Sequence, residues 1–216
     1  MLFPYKDDNP RVLFPYITYA LITTNTLIFV AFAYVSFLNP STNWFYTFGF
    51  IPNSFNLFTI LSSMFIHGGF GHILSNMWFL YIFGDNIESI LGHIKFLIFY
   101  ILCGFGAAFT QYLVDPNSSI PMVGASGAIA GVLGAYMISF PKAKVHIFAF
   151  IIIFITTLIV PAKIVLGLWF FIQLSSGLNS LGIDTNGGVA WFAHIGGFIS
   201  GVGSIKYIQD FKIEGK

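Results

Sequence analysis

Apolar residues along this chain gather into six long runs. Each has close to the length of a membrane helix, which needs about 20 residues at 1.5 Å rise. The runs cover about Pro15 to Leu38, Phe70 to Phe83, Phe96 to Val114, Met122 to Phe140, Ala162 to Leu178, and Val189 to Tyr207. The second is short for a span. Between the first two lies 39–69, long for a loop and rich in aromatics such as Trp44, Phe45, Tyr46 and Phe58. Such a segment is expected to lie in the membrane interface, where aromatic rings are favoured. The stretch 145–160 is apolar and β-branched, and reads either as a seventh span or as a buried or re-entrant element. No internal repeat or linker divides the chain, so a single domain over 1–216 is expected, with its core at about 15–207 and a short tail at each end.

Composition makes lipid the solvent. Of 216 residues, 56% are hydrophobic and 8% charged, against roughly a quarter charged in a soluble domain. Mean hydropathy is +0.84. No charged residue occurs between Arg11 and Asp85. The net charge of +1 points to neither nucleic acid nor an acidic partner. Cys103 is the only cysteine, which excludes an intrachain disulfide and offers no metal cluster. No cofactor is expected. The first residues carry charge but no signal-peptide pattern, so the first run is expected to be a true span.

Charge also orients the chain. With six spans and the N-terminus inside, all nine basic residues fall on inner segments or inner helix ends: Lys6, Arg11, Lys95, Lys142, Lys144, Lys163, Lys206, Lys212 and Lys216. A seventh span would carry Lys163 and the C-terminal lysines outside. The positive-inside rule therefore favours six spans with 145–160 kept from crossing.

Three polar clusters interrupt the apolar runs, and polar groups in lipid are costly enough to be functional candidates. One is Gly124-Ala125-Ser126-Gly127. A lone serine in a span usually bonds the carbonyl one turn back, but here Gly124, Gly127, Gly131 and Gly134 clear one side of the helix for close approach. Another is Ala193-His194-Ile195-Gly196-Gly197, followed by Gly201. Two glycine-lined helices can approach until His194 reaches Ser126, and a hydroxyl activated by imidazole is the minimal nucleophile–base pair. No acidic residue lies in the outer half of any run, so a dyad is expected rather than a triad. The last is His72-Ile73-Leu74-Ser75-Asn76. His72 and Asn76 share a helix face at i and i+4; they serve either helix packing or donation to an oxyanion. His67, just before, reads as structural. In the six-span topology Asn76, Ser126 and His194 all sit roughly 6–9 Å below the outer ends of their helices, in one layer.

With these pieces in place the sequence resembles the rhomboid intramembrane proteases, over about residues 15–207. The resemblance rests on Met64-Phe65-Ile66-His67-Gly68-Gly69 leading into His72-xxx-Asn76, on Gly124-Ala125-Ser126-Gly127, and on Ala193-His194-Ile195-Gly196-Gly197-xxx-Gly201. It implies an all-α membrane protein, a six-transmembrane-helix bundle with a long interfacial first loop. Ser126 would be nucleophile, His194 base and acid, and His72, Asn76 and the Ser126 backbone N–H the oxyanion hole. The substrates would be single-span membrane proteins, cleaved in or near the bilayer, with no metal and no nucleic acid involved. The Phe-, Ile- and Asn-rich usage and compact length fit a bacterial plasma membrane, and the charge distribution puts both termini in the cytoplasm with the site opening outward. A catalytically inactive relative that binds membrane clients is the alternative. A haem protein using His72 and His194 would leave Ser126 and Asn76 unexplained, and a transporter would need repeats or buried carboxylates. Two departures stand out. Where some bacterial members carry an aromatic residue against the histidine, this chain has Ala130. It also has no arginine near Phe58 and Thr59 to anchor the first loop. Substrate access requires movement, expected of the fifth helix and the 178–188 loop with Gly182, Gly187 and Gly188.

Overall fold

The computed structural model describes residues 2–151, 154–181 and 189–210. In chain order these form β1 (Leu2–Asp7), α1 (Tyr16–Leu38), α2 (Trp44–Phe48), a 3₁₀ turn (Pro52–Ser54), α3 (Leu57–Ser63), α4 (Phe70–Leu91), α5 (His93–Val114), α6 (Ser126–Ser139), β2 (Lys144–Ile151), β3 (Phe154–Pro161), α7 (Ala162–Ser180) and α8 (Trp191–Asp210). The six apolar runs correspond to α1, α4, α5, α6, α7 and α8. The aromatic first loop is structured by α2, the 3₁₀ turn and α3. Without an arginine anchor, it is held by Phe50, fully buried, by Ser62 Oγ donating to the Phe48 carbonyl at 2.7 Å, and by Trp44 stacked on Phe32.

α4 runs two turns past Phe83, through Asp85 and Glu88, whose charges end the apolar run. Tertiary partners satisfy those charges. Glu88 is fully buried and accepts from the backbone N–H groups of Ile17 and Thr18 at 2.9 and 2.8 Å and from Thr18 Oγ1 at 2.7 Å. It thus takes up donors that the first turn of α1 leaves unpaired, and a carboxylate there also suits the helix dipole. Its other neighbour is His93 Nδ1, 2.6 Å away. Asp85 pairs with Arg11 Nε at 3.1 Å.

The stretch 145–160 forms strands, not a seventh apolar helix. β2 and β3 form an antiparallel hairpin, and β1 pairs antiparallel with β2, giving the order β1-β2-β3. Val145, Ile147 and Ala149 point inward and are buried, the period of two that a strand imposes. The segment Leu2–Asp7, expected as part of a tail, is therefore an edge strand. Trp78 Nε1 holds it by donating to the Pro4 carbonyl at 2.8 Å. Asp7 accepts from Tyr136 Oη and, at 3.0 Å, from Asn86 Nδ2.

Burial pushes the Asp7 carboxyl up to about 6; Asp85 adds to the rise, and the Tyr136 hydrogen bond opposes it. The folded chain thus holds this proton more tightly than the unfolded one. The resulting stability is full below the unfolded value of 3.8 and is lost as pH rises through about 6. Asp7→Asn, which cannot ionise, is expected to melt a few degrees above the wild type near neutral pH and together with it at about pH 4. Thermal melts in detergent across that range check this; a constant offset would contradict it.

α6 is the central helix. Its 14 residues span about 21 Å, less than the bilayer core of about 30 Å, and every residue from Gly127 to Tyr136 is buried. α4, α5, α7 and α8 surround it. The peripheral helices turn apolar side chains outward, among them Val30 and Phe37 on α1, Leu102 and Phe109 on α5, and Leu168 and Phe171 on α7. Only lipid accommodates so much exposed apolar surface. By length and apolarity α1, α5 and α7 can each cross a membrane. The chain is a helical, multi-pass membrane protein.

Candidate active site

Ser126 owes its position to the turn before it. Phe50 and Met122 exchange backbone hydrogen bonds of 3.0 and 2.7 Å, and Gly124 N–H donates to the Ser63 carbonyl at 2.9 Å. The turn passes through Gly124 at φ +119°, a conformation that favours glycine. These ties end the extended segment and start α6 at Ser126, not at Met122 as the apolar run suggested. Ser126 is the first residue of its helix, where amide N–H groups have no acceptor within the helix.

α8 brings the imidazole. His194 Nε2 lies 2.8 Å from Ser126 Oγ. On the other side of the ring, Nδ1 lies 2.8 Å from Oε1 of Gln173 on α7. An amide oxygen only accepts, so Nδ1 carries the proton and Nε2 is left to accept from the serine hydroxyl. Trp169, one turn before Gln173, sets its ring 5.9 Å from the imidazole at a 36° tilt. Ala130 is buried and small, so the aromatic neighbours of His194 come instead from α7 and from Trp191 on its own helix.

α4 supplies the other two residues. Gly68 N–H donates to His72 Nδ1 at 3.3 Å, which leaves the ring proton on Nε2. That nitrogen sits beside the Gly124 turn, 2.7 Å from where a Cβ would be at that glycine. Asn76 Nδ2 donates to the His72 carbonyl at 2.8 Å and keeps a second N–H. Ser126, His194, His72 and Asn76 all line one cavity of about 1220 Å³. His67 does not line it; it is buried, edge-on to His72 at 5.2 Å. Gly127 and Gly131 face α5 and α8, and Gly197 and Gly201 face α6. The loop glycines Gly182, Gly187 and Gly188 lie outside the described residues.

Sequence reasoning missed Gln173 and Trp169. The signal for Gln173 was a lone amide inside the apolar stretch Leu166–Leu174; side-chain amides in spans tend to hydrogen-bond across helices.

The arrangement defines a class: a membrane-embedded helical bundle with a hydroxyl–imidazole pair in a cavity. Its family follows from comparison with known proteins. The model of the Rhomboid domain matches residues 54–209, well over half of the chain, and the chain belongs to the rhomboid family. RHOMBOID-like protein 4 of Arabidopsis thaliana is 34% identical over 143 residues, 66% of this chain and 32% of that protein. The mitochondrial Rhomboid protein 1 of Saccharomyces cerevisiae is 30% identical over 149 residues, 67% of this chain and 40% of the relative. YdcA of Bacillus subtilis, named as a candidate rhomboid protease, is 30% identical over 142 residues, 65% of this chain and 63% of that one. The chain thus spans about a third of the plant relative and two fifths of the yeast one. The family comprises intramembrane proteases and rhomboid-like proteins that act on membrane proteins within the bilayer.

Proposed function

We propose that this chain is an active intramembrane serine endopeptidase. The observation that carries the reading is the 2.8 Å approach of His194 Nε2 to Ser126 Oγ. His194 takes the hydroxyl proton as Ser126 Oγ attacks a peptide carbonyl. The tetrahedral oxyanion is held by the Ser126 backbone N–H, the free N–H of Asn76 and Nε2–H of His72. His194 then passes its proton to the leaving amine. Water from the cavity hydrolyses the acyl-enzyme, with His194 again as base.

The remaining features belong to the same proposal. The chain folds as one domain over 1–216. α1, α4, α5, α6, α7 and α8 form six spans with both termini cytoplasmic, and the cavity opens to the outer face of a bacterial plasma membrane. The nine basic residues support that orientation. Substrates are single-span membrane proteins that present an extended segment, since a helix hides its carbonyls.

A fluorophosphonate probe tests the reading directly. Folded wild type in detergent should gain one covalent adduct, located at Ser126 by peptide mass spectrometry. Folded protein that stays unlabelled and leaves a model transmembrane substrate intact would instead fit a relative that only binds membrane clients. His72→Ala or Asn76→Ala should each lower turnover about 10- to 1000-fold, as loss of one oxyanion donor does, without preventing slow labelling.

A further inference from the structure

We propose that Gln173 is a positioning residue for the proton transfer: its side-chain oxygen holds Nδ1–H of His194 and ties α7 to the catalytic base. The inference rests on the protease reading above and adds a third side chain to the Ser126–His194 pair.

The buried positions of α7 are Ala162, Leu166, Gln173 and Gly177. They share the face by which this helix packs on the bundle, flanked by the half-buried Trp169 and Phe170 against His194 and Phe198, and Gln173 is the only polar one of the four. A leucine would fill such a place at no polar cost, whereas an amide in an apolar interior costs free energy unless it is bonded. The bond it makes is the 2.8 Å contact with His194 Nδ1.

Chemistry assigns that contact a role. A neutral imidazole carries one proton, on either nitrogen. With the proton on Nε2 the ring would donate toward Ser126 Oγ and could not take the hydroxyl proton. An acceptor at Nδ1 selects the other tautomer and fixes the ring plane. When the serine proton arrives at Nε2, Nδ1–H stays on Nδ1, and the amide oxygen faces the new positive charge. Other titratable groups lining the cavity are His72 on α4 and Asp115 just after α5. Neither is a hydrogen-bond partner of the His194 ring. Because Gln173 lies on a peripheral helix, the base is held in this way only while α7 is seated against α8.

The test compares wild type, Gln173→Leu, Gln173→Glu and, as a blank, Ser126→Ala. Cleavage of a model transmembrane substrate in liposomes and the rate of fluorophosphonate labelling are followed across pH, with melting curves to establish folding. Gln173→Leu should lose about 10- to 100-fold in kcat with KM little changed. That is less than the roughly 10⁴-fold effect of neutralising a triad aspartate, because an amide stabilises the imidazolium less. Gln173→Glu keeps an acceptor and should recover most of the rate. Its negative charge favours the imidazolium, so the acidic limb of its pH–rate profile should move up by about one unit or more. Folded Gln173→Leu with wild-type kcat would overturn the inference. So would folded Gln173→Glu with an unshifted acidic limb, which remains readable even if the leucine variant does not fold. Folded wild type that neither cleaves nor labels would sink the protease reading itself, and the separate wild-type arm distinguishes that failure from the others.

Discussion

Ser126→Ala and His194→Ala are each expected to lower proteolysis by roughly 10⁴-fold or more while leaving the protein folded. In the proposed mechanism nucleophile and base act as one unit. Without the imidazole, the Ser126 hydroxyl has no other hydrogen-bonded acceptor for its proton among the described residues; without the hydroxyl, the imidazole has nothing to activate. Removing either therefore costs about as much as removing both, the non-additivity found where such groups have been dissected. The double variant should be no slower than the worse single one. Residual activity would come from the oxyanion donors and from substrate positioning. Folding should survive because both side chains face a cavity, and alanine at either site leaves the stripe from Gly127 to Tyr136 in place. Cleavage of a transmembrane substrate in liposomes, read beside melting curves, checks both halves. Ser126→Ala protein retaining a tenth of wild-type turnover would require a different nucleophile.

The residues that line the cavity together were legible in the sequence for a physical reason. A serine, a histidine and an asparagine within apolar runs must be bonded, and glycines at four-residue spacing beside two of them told which helices come close. Other features lacked such a local signature. β1 pairs with β2 across more than 130 residues of chain, and nothing within Leu2–Asp7 announces that partner. The inward alternation of Val145, Ile147 and Ala149 is obscured by apolar residues on the opposite face, so charge could argue only that the segment does not cross. The full length of α4 was not legible because Asp85 and Glu88 interrupt the apolar pattern, and their partners Arg11, Thr18 and His93 are met only in the fold. Gln173 was overlooked because a neutral amide in a span has many ordinary uses; only the position of α7 beside His194 gives it a particular one. In each case the missing information was the identity of a distant partner.

Gly197→Ala and Gly201→Ala are expected to be the most damaging methyl additions on α8, each costing about 3 kcal/mol or more, at or beyond the upper end of ordinary overpacking. A Cβ at Gly197 would overlap the carbonyl oxygen and carbon of Gly127, and one at Gly201 those of Gly131. What blocks the methyl is the backbone of a buried helix, which cannot swing aside as a side chain would. α6 has no room to shift, because Gly127 and Gly131 also meet Ala107 and Cys103 of α5. Relief must come from α8 moving outward. His194 lies one turn before Gly197, so that shift lengthens the contact with Ser126 Oγ, and activity should fall in variants that remain folded. Gly203→Ala is the control: the same helix gains a methyl that meets nothing within 4 Å, and an alanine favours helix over glycine by up to about 1 kcal/mol. Its melting temperature should equal or exceed that of the wild type. Melting and turnover of the three variants in one detergent separate the outcomes, and a Gly197→Ala protein as stable and active as Gly203→Ala would mean that α6 and α8 do not pack at this distance.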